Sequence, residues 1–134
     1  MKKTWTEKLN APARHQVKPV PIDIAGMKKG EIMLVPTPHM IDAFIRAIPP
    51  GASMDVRTLR HKLARRFKAE VACPITTGFH LRTVAEAACE ALQQGAAMDT
   101  ITPFWRVLDA DTPTTRKLAC GPGFVTAQRT KEGI

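Results

Sequence analysis

Three cysteines and four histidines are the residues of this chain best equipped for covalent or metal chemistry. Cys73, His80 and Cys89 form a Cys-x6-His-x8-Cys series. Zinc sites in small domains draw on ligand pairs spaced by roughly two to four residues. No Cys-x2-Cys or His-x3-His pair occurs, so the spacing predicts no metal site. A thiol can instead serve as a nucleophile when a helix N-terminus or a neighbouring base lowers its pKa. Cys73 stands in a turn ahead of a predicted helix, with His80 one to two turns into it. Cysteine-dependent catalysis by Cys73 with His80 is therefore one reading, and an inert buried thiol is the other. Cys89 falls near the apolar side of that helix and reads as packing. His15, His39 and His61 are scattered, and no carboxylates are placed as an acid/base couple. The glycines are single punctuation marks that form no phosphate-cradling loop, and nothing calls for a cofactor.

The cations are more regular. Val56, Leu59, Leu63 and Phe67 recur at helical spacing, and the opposite face shows Arg57, Arg60, His61, Lys62, Arg65, Arg66 and Lys68. His80 and Arg82 begin the next predicted helix. Helices over 55–68 and 79–93, joined by a compact connector and followed by an extended segment, resemble a helix-turn-helix or winged-helix arrangement. There a second helix enters a groove while basic groups hold the nucleic-acid backbone. Arg57, Arg60, Arg65, Arg66 and Lys68 would then meet phosphates. A solvated basic face without a ligand is the plain alternative.

These residues need a scaffold, and 134 residues with 44% apolar types suit one small domain with a core. With five Phe, two Trp and no Tyr, that core must be mostly aliphatic. A net charge of +8 favours a polyanionic partner without identifying one. No apolar run approaches a membrane span, and residues 1–8 lack the apolar stretch of a secretion signal, so no membrane partner is expected. Three widely spaced cysteines, an odd number, read as reduced thiols in the cytoplasm.

Residues 1–30, with Lys2, Lys3, Lys8, Arg14, Lys18, Lys28 and Lys29 and interrupted by prolines, read as an irregular basic arm. Within it Thr4 to Leu9 allow one helical turn with Trp5 and Leu9 on one side. Ile32-Met33-Leu34-Val35 reads as a short strand stopped by Pro36. A helix is predicted from Pro38 on the stripe Met40, Ile41, Phe44, Ile45 and Ile48, ending at Pro49-Pro50-Gly51. Asp55 can cap the basic helix. Residues 73–78 read as a turn-rich connector, with Thr76 or Thr77 capping the helix over 79–93. The alanines at 85, 87, 88 and 91 of that helix let another backbone approach. Val107 and Leu108 suggest a strand, and residues 124–134 a short final helix with Gln128, Arg129 and Lys131 exposed.

Four segments follow in a telling order: Ile48-Pro49-Pro50-Gly51, then Leu59 and Ala64, then Leu81-Arg82-Thr83-Val84, then Ile101-Thr102-Pro103-Phe104-Trp105-Arg106-Val107-Leu108. The series resembles the C-terminal DNA-binding domain of the O-alkylguanine DNA alkyltransferases and the alkyltransferase-like proteins, over about residues 38–133. That family flips alkylated guanine into a pocket and transfers the alkyl group to a cysteine. The resemblance implies that Arg82 fills the gap left in the duplex and that Pro103, Phe104, Trp105 and Arg106 line a relic pocket. Phe104 stands where the reactive cysteine would be and Trp105 where its activating histidine would be, so suicide transfer is excluded. Val56 replaces a tyrosine that would contact a phosphate, and the spacings from Leu63 to Phe79 and from Arg82 to Phe104 are longer than the family's.

The expectation is thus a mainly α domain with short β segments, winged helix-turn-helix-like over 31–134 behind an arm over 1–30. It would be a non-catalytic protein of duplex DNA, plain or alkylated, acting in DNA repair. Arg57, Arg60, Arg65, His80 and Arg82 would hold the DNA, and Phe104 and Trp105 would either fill the pocket or stack on a base. A module that binds a protein or small molecule on the same fold is the alternative.

Overall fold

The computed structural model describes residues 3–134; Lys2, counted above among the cations of the arm, lies outside them. The fold is a mainly helical domain with a small three-stranded sheet. Strands β1 (Gln16–Pro19), β2 (Ile32–Val35) and β3 (Val71–Ala72) lie in the order β1-β2-β3. β1 runs antiparallel to β2 with Gln16 opposite Val35, and β3 runs parallel with Val71 opposite Met33. The apolar run of β2 fits its central place, since Met33 and Leu34 are buried.

Helix α2 (Pro38–Arg46) starts where Pro38 is pre-set for a first turn and the Thr37 hydroxyl accepts from the Met40 amide at 3.2 Å. It buries Ile41, Phe44 and Ile45. Gly51, at φ +84°, turns the chain toward α3 (Val56–Arg66). Asp55 caps that helix by accepting from the Thr58 amide at 2.7 Å. Its far end closes with the Ala69 amide on the Ala64 carbonyl at 2.8 Å and that of Lys68 on Arg65 at 3.2 Å. This motif asks for a left-handed residue, and Lys68 supplies it at φ +57° where glycine is usual.

The 20-residue helix α4 (Pro74–Gln93) is the axis of the domain. Leu81 and Val84 join Leu34, Ile45, Leu59 and Leu63 in one apolar cluster. Ala85, Ala88 and Cys89 join Ile101, Phe104, Trp105, Leu108 and Val125 of the C-terminal part in another. Helix α5 (Gly121–Glu132) closes that second cluster.

Several expectations are corrected. The turn expected over Thr4 to Leu9 forms as helix α1 (Trp5–Asn10), where Thr4 and Glu7 cap each other, but the rest of the arm is not wholly irregular, because it also holds β1. The turn-rich connector over 73–78 is instead the start of α4, because Pro74 sits at the helix position that needs no amide hydrogen. Cys73, not Thr76 or Thr77, is the residue ahead of the helix, and its side chain makes no cap bond. No strand forms at Val107 and Leu108; Phe104–Arg106 is a single 3-10 turn, and the Leu108 amide returns to the Phe104 carbonyl at 2.9 Å. Gln128 is buried rather than exposed. The expectation of three reduced thiols also fails: Cys89 and Cys120 form a disulfide that ties α4 to the start of α5, and Cys73 is the free cysteine.

Candidate nucleic-acid interface

Helix α3 buries Leu59, Leu63 and Ala64, packs Val56 against the core, and turns its basic residues outward. The cations so displayed divide between two concave surfaces. Arg57, Arg60 and His61 line a depression of about 360 Å³ shared with Gly26, Met27, Glu70 and the start of α4 at Pro74. Lys62, Arg65 and Arg66 line an apolar groove of about 570 Å³ shared with Phe44, Ile48 and Met54. Among the described residues none of these cations forms an ion pair, and α3 itself has no acidic residue. Helical geometry explains the division, because successive residues turn by about 100° and no single stripe can hold them all.

Arg82, on α4, is already engaged. Its Nη2 lies 3.5 Å from the buried Glu86, and its guanidinium lies 5.2 Å from the Trp5 ring centroid. Lys8 approaches the same ring at 4.2 Å. Helix α1 is held here by Glu90, whose carboxylate accepts from the Trp5 amide at 3.1 Å, the Thr6 amide at 3.2 Å and the Thr6 hydroxyl at 2.7 Å. Arg82 is therefore part of the α1–α4 contact, with its side chain 39% exposed.

His80 is half-buried, and that burial pushes its pKa below the usual histidine range; a hydrogen bond with the backbone of Pro36 works the other way. The buried Cys73 sulfur accepts from the Thr76 hydroxyl at 3.4 Å. No hydrogen bond joins Cys73 to His80 among the described residues, so nothing here couples thiol and base. These residues include no group of three or more His, Cys, Asp or Glu side chains able to hold a metal ion.

The segment from Pro103 to Arg106 is packed tightly. Phe104 is wholly buried, and its ring stacks on Phe124 at 5.9 Å and meets Trp105 edge-on at 5.5 Å. Trp105 is 4% exposed and donates from Nε1 to Glu132 at 2.6 Å. Arg106 meets the same carboxylate through Nε at 2.8 Å and Nη2 at 3.1 Å, and donates from Nη1 to the Ile48 carbonyl at 2.7 Å. The Gly51 amide adds a fourth donor at 3.0 Å. Hydrogen bonds from Arg106 above all hold the Glu132 pKa at about 2. Pro103, Trp105 and Arg106 still edge an open depression of about 490 Å³, but the Phe104 and Trp105 rings occupy the core rather than line a vacant slot.

Glu132 and Glu90 escape sequence reasoning because their partners lie far along the chain, and Glu86, besides Arg82 one turn away, accepts from the distant Ala119 amide at 2.8 Å. Glu132 falls in the short final helix expected over 124–134, and nothing local links it to Gly51 or Trp105. The chain matches no family model, no curated protein and no solved structure.

Proposed function

We propose that this chain is a non-catalytic DNA-binding domain of the helix-turn-helix kind, akin to the alkyltransferase-like proteins, that grips duplex DNA through the cations of α3. The observation that carries the reading is the run of cations on that helix, none of which is held in an ion pair among the described residues. Arg57 and Arg60, Lys62 and Arg65, and Lys62 and Arg66 are like-charge pairs three or four residues apart, unrelieved by any ion pair among the described residues. Each such pair costs a helix roughly 0.2–0.5 kcal/mol, a cost that phosphate groups would reverse. The packing of Phe104 and Trp105 favours binding of plain duplex over capture of a flipped base. The packing of Cys73 favours an inert thiol over a nucleophile.

Fluorescence anisotropy with plain duplex and with duplex carrying O-methylguanine, each at two salt concentrations, tests the reading. Equal affinities that fall steeply with salt are expected, with the salt slope changing by about 0.9 for each phosphate contact removed. Arg57→Ala with Arg60→Ala should reduce that slope by about two. Binding that ignores salt, or no binding, overturns the proposal. Tighter binding to the lesion would mean that the Phe104–Trp105 core opens to admit a base.

One observation favours a protein-interaction surface as a second reading. Phe79 is 69% exposed on α4, with Ile75 one turn earlier 46% exposed. Loss of a partner on Phe79→Ser, with DNA affinity intact, would establish that function.

A further inference from the structure

We infer that the groove between α2 and α3 is a binding site for a small anionic molecule with a flat apolar body, such as an aromatic carboxylate. The groove is about 570 Å³, within the range of small-molecule sites. Its floor is apolar: Phe44 and Ile48 are each largely buried, and Met54 packs beside them. Its rim is cationic, formed by Lys62, Arg65 and Arg66, and no carboxylate lines it. The combination selects for one sign of charge and for an apolar surface at once. A neutral molecule would leave three cations unmatched, and a small inorganic anion would make no use of the apolar side chains beside them.

The walls are already set. The Arg66 guanidinium stands 5.0 Å from the Phe44 ring centroid, which fixes a donor directly over the floor. The opposite wall is tied down at Gly51 by Glu132, at Ala52 by the Pro49 carbonyl at 3.1 Å, and at Met54 by the Arg106 carbonyl at 3.0 Å. A ligand would therefore meet a formed site and order little protein on binding. The groove shares Lys62, Arg65 and Arg66 with the proposed DNA grip, whereas Arg57 and Arg60 line a different depression and so allow the two sites to be tested apart.

The probe is 2-naphthoate, titrated into the full chain and followed by amide NMR shifts, with neutral 2-naphthamide as control. Saturable shifts confined to the surroundings of Ile48, Met54, Lys62 and Arg65 are expected. The paired variant Arg65→Gln with Arg66→Gln should weaken naphthoate at least about tenfold, the effect of losing roughly one charge-assisted hydrogen bond. Naphthamide should bind the native protein about as poorly. Arg57→Gln with Arg60→Gln should keep naphthoate affinity whatever it does to DNA, which separates failure of this site from failure of the DNA reading. Equal binding of naphthamide, or shifts spread over the surface, overturns the inference. So do groove shifts that appear only with duplex DNA, or only as protein concentration rises, which would assign the groove to DNA or to a second copy of the chain.

Discussion

Replacing Glu132 by Gln keeps the shape of the side chain and removes its charge, so it isolates what the carboxylate does. In the folded protein its pKa is lowered from 4.5 to about 2, chiefly by Arg106, with Trp105 and the Gly51 amide adding to the effect. The pair is shielded, with the Arg106 and Glu132 side chains only 11% and 15% exposed. At about 1.36 kcal/mol per pKa unit, that depression corresponds to about 3 kcal/mol of stability. Because the folded pKa lies below the unfolded value, the contribution is complete above pH 4.5 and drains away as pH falls toward 2. Glutamine should lose all of it at pH 7, since its amide nitrogen cannot accept from Arg106 or Trp105. An uncompensated buried guanidinium raises the expected loss to about 3–4 kcal/mol. Urea unfolding of both proteins at pH 7 and pH 3 measures this directly. At pH 3 the gap should narrow by about 2 kcal/mol, because the native protein has by then given up most of the same stabilisation. A gap below about 1 kcal/mol at pH 7, or one of equal size at both pH values, would refute the reasoning.

Reducing the Cys89–Cys120 bond, which spans a sequence separation of 31, should lower stability by about 3–4 kcal/mol on chain-entropy grounds. An unchanged urea midpoint in dithiothreitol would show that the bond constrains little. Lys68→Gly should raise stability by about 1 kcal/mol, since φ +57° penalises a side chain, and a lower melting temperature would count against that account. Thr77→Val should be neutral or stabilise by about 1 kcal/mol, because the buried Thr77 hydroxyl has no hydrogen-bond partner among the described residues. Clear destabilisation in thermal melts would reveal a partner for that hydroxyl.

The parts of the fold legible in the sequence are those whose signal is local. The stripe from Met40 to Ile48 marks α2, Asp55 caps the basic helix, and Ile32 to Val35 form a strand between turns. Strand β1 has no such signal: all four of its residues are exposed, and it joins the sheet through backbone pairing alone. The first turn of α4 is hidden by Gly78 and the neighbouring threonines, which favour a turn when read as a cluster, although Pro74 suits a first helical position. The disulfide could not be deduced, since an odd cysteine count fixes no pairing. For the candidate interface, the basic residues of α3 were visible by type and spacing. Their division between two concavities, and the diversion of Arg82 to Trp5 and Glu86, depend on how distant segments pack.

The Glu90 clasp on α1 has a consequence for how the chain comes to be folded. Trp5 and Glu90 are 85 positions apart, so at roughly 5–20 residues per second a ribosome exposes α1 well before its anchor exists. Six residues are too few to hold a helix alone, and the mutual cap of Thr4 and Glu7 gives only a local bias. During that interval of roughly 4–17 s, the Trp5 ring has no α4 to lie against. A segment made early is thus among the last to settle, and the face of α4 that it covers stays bare until the long-range contact closes.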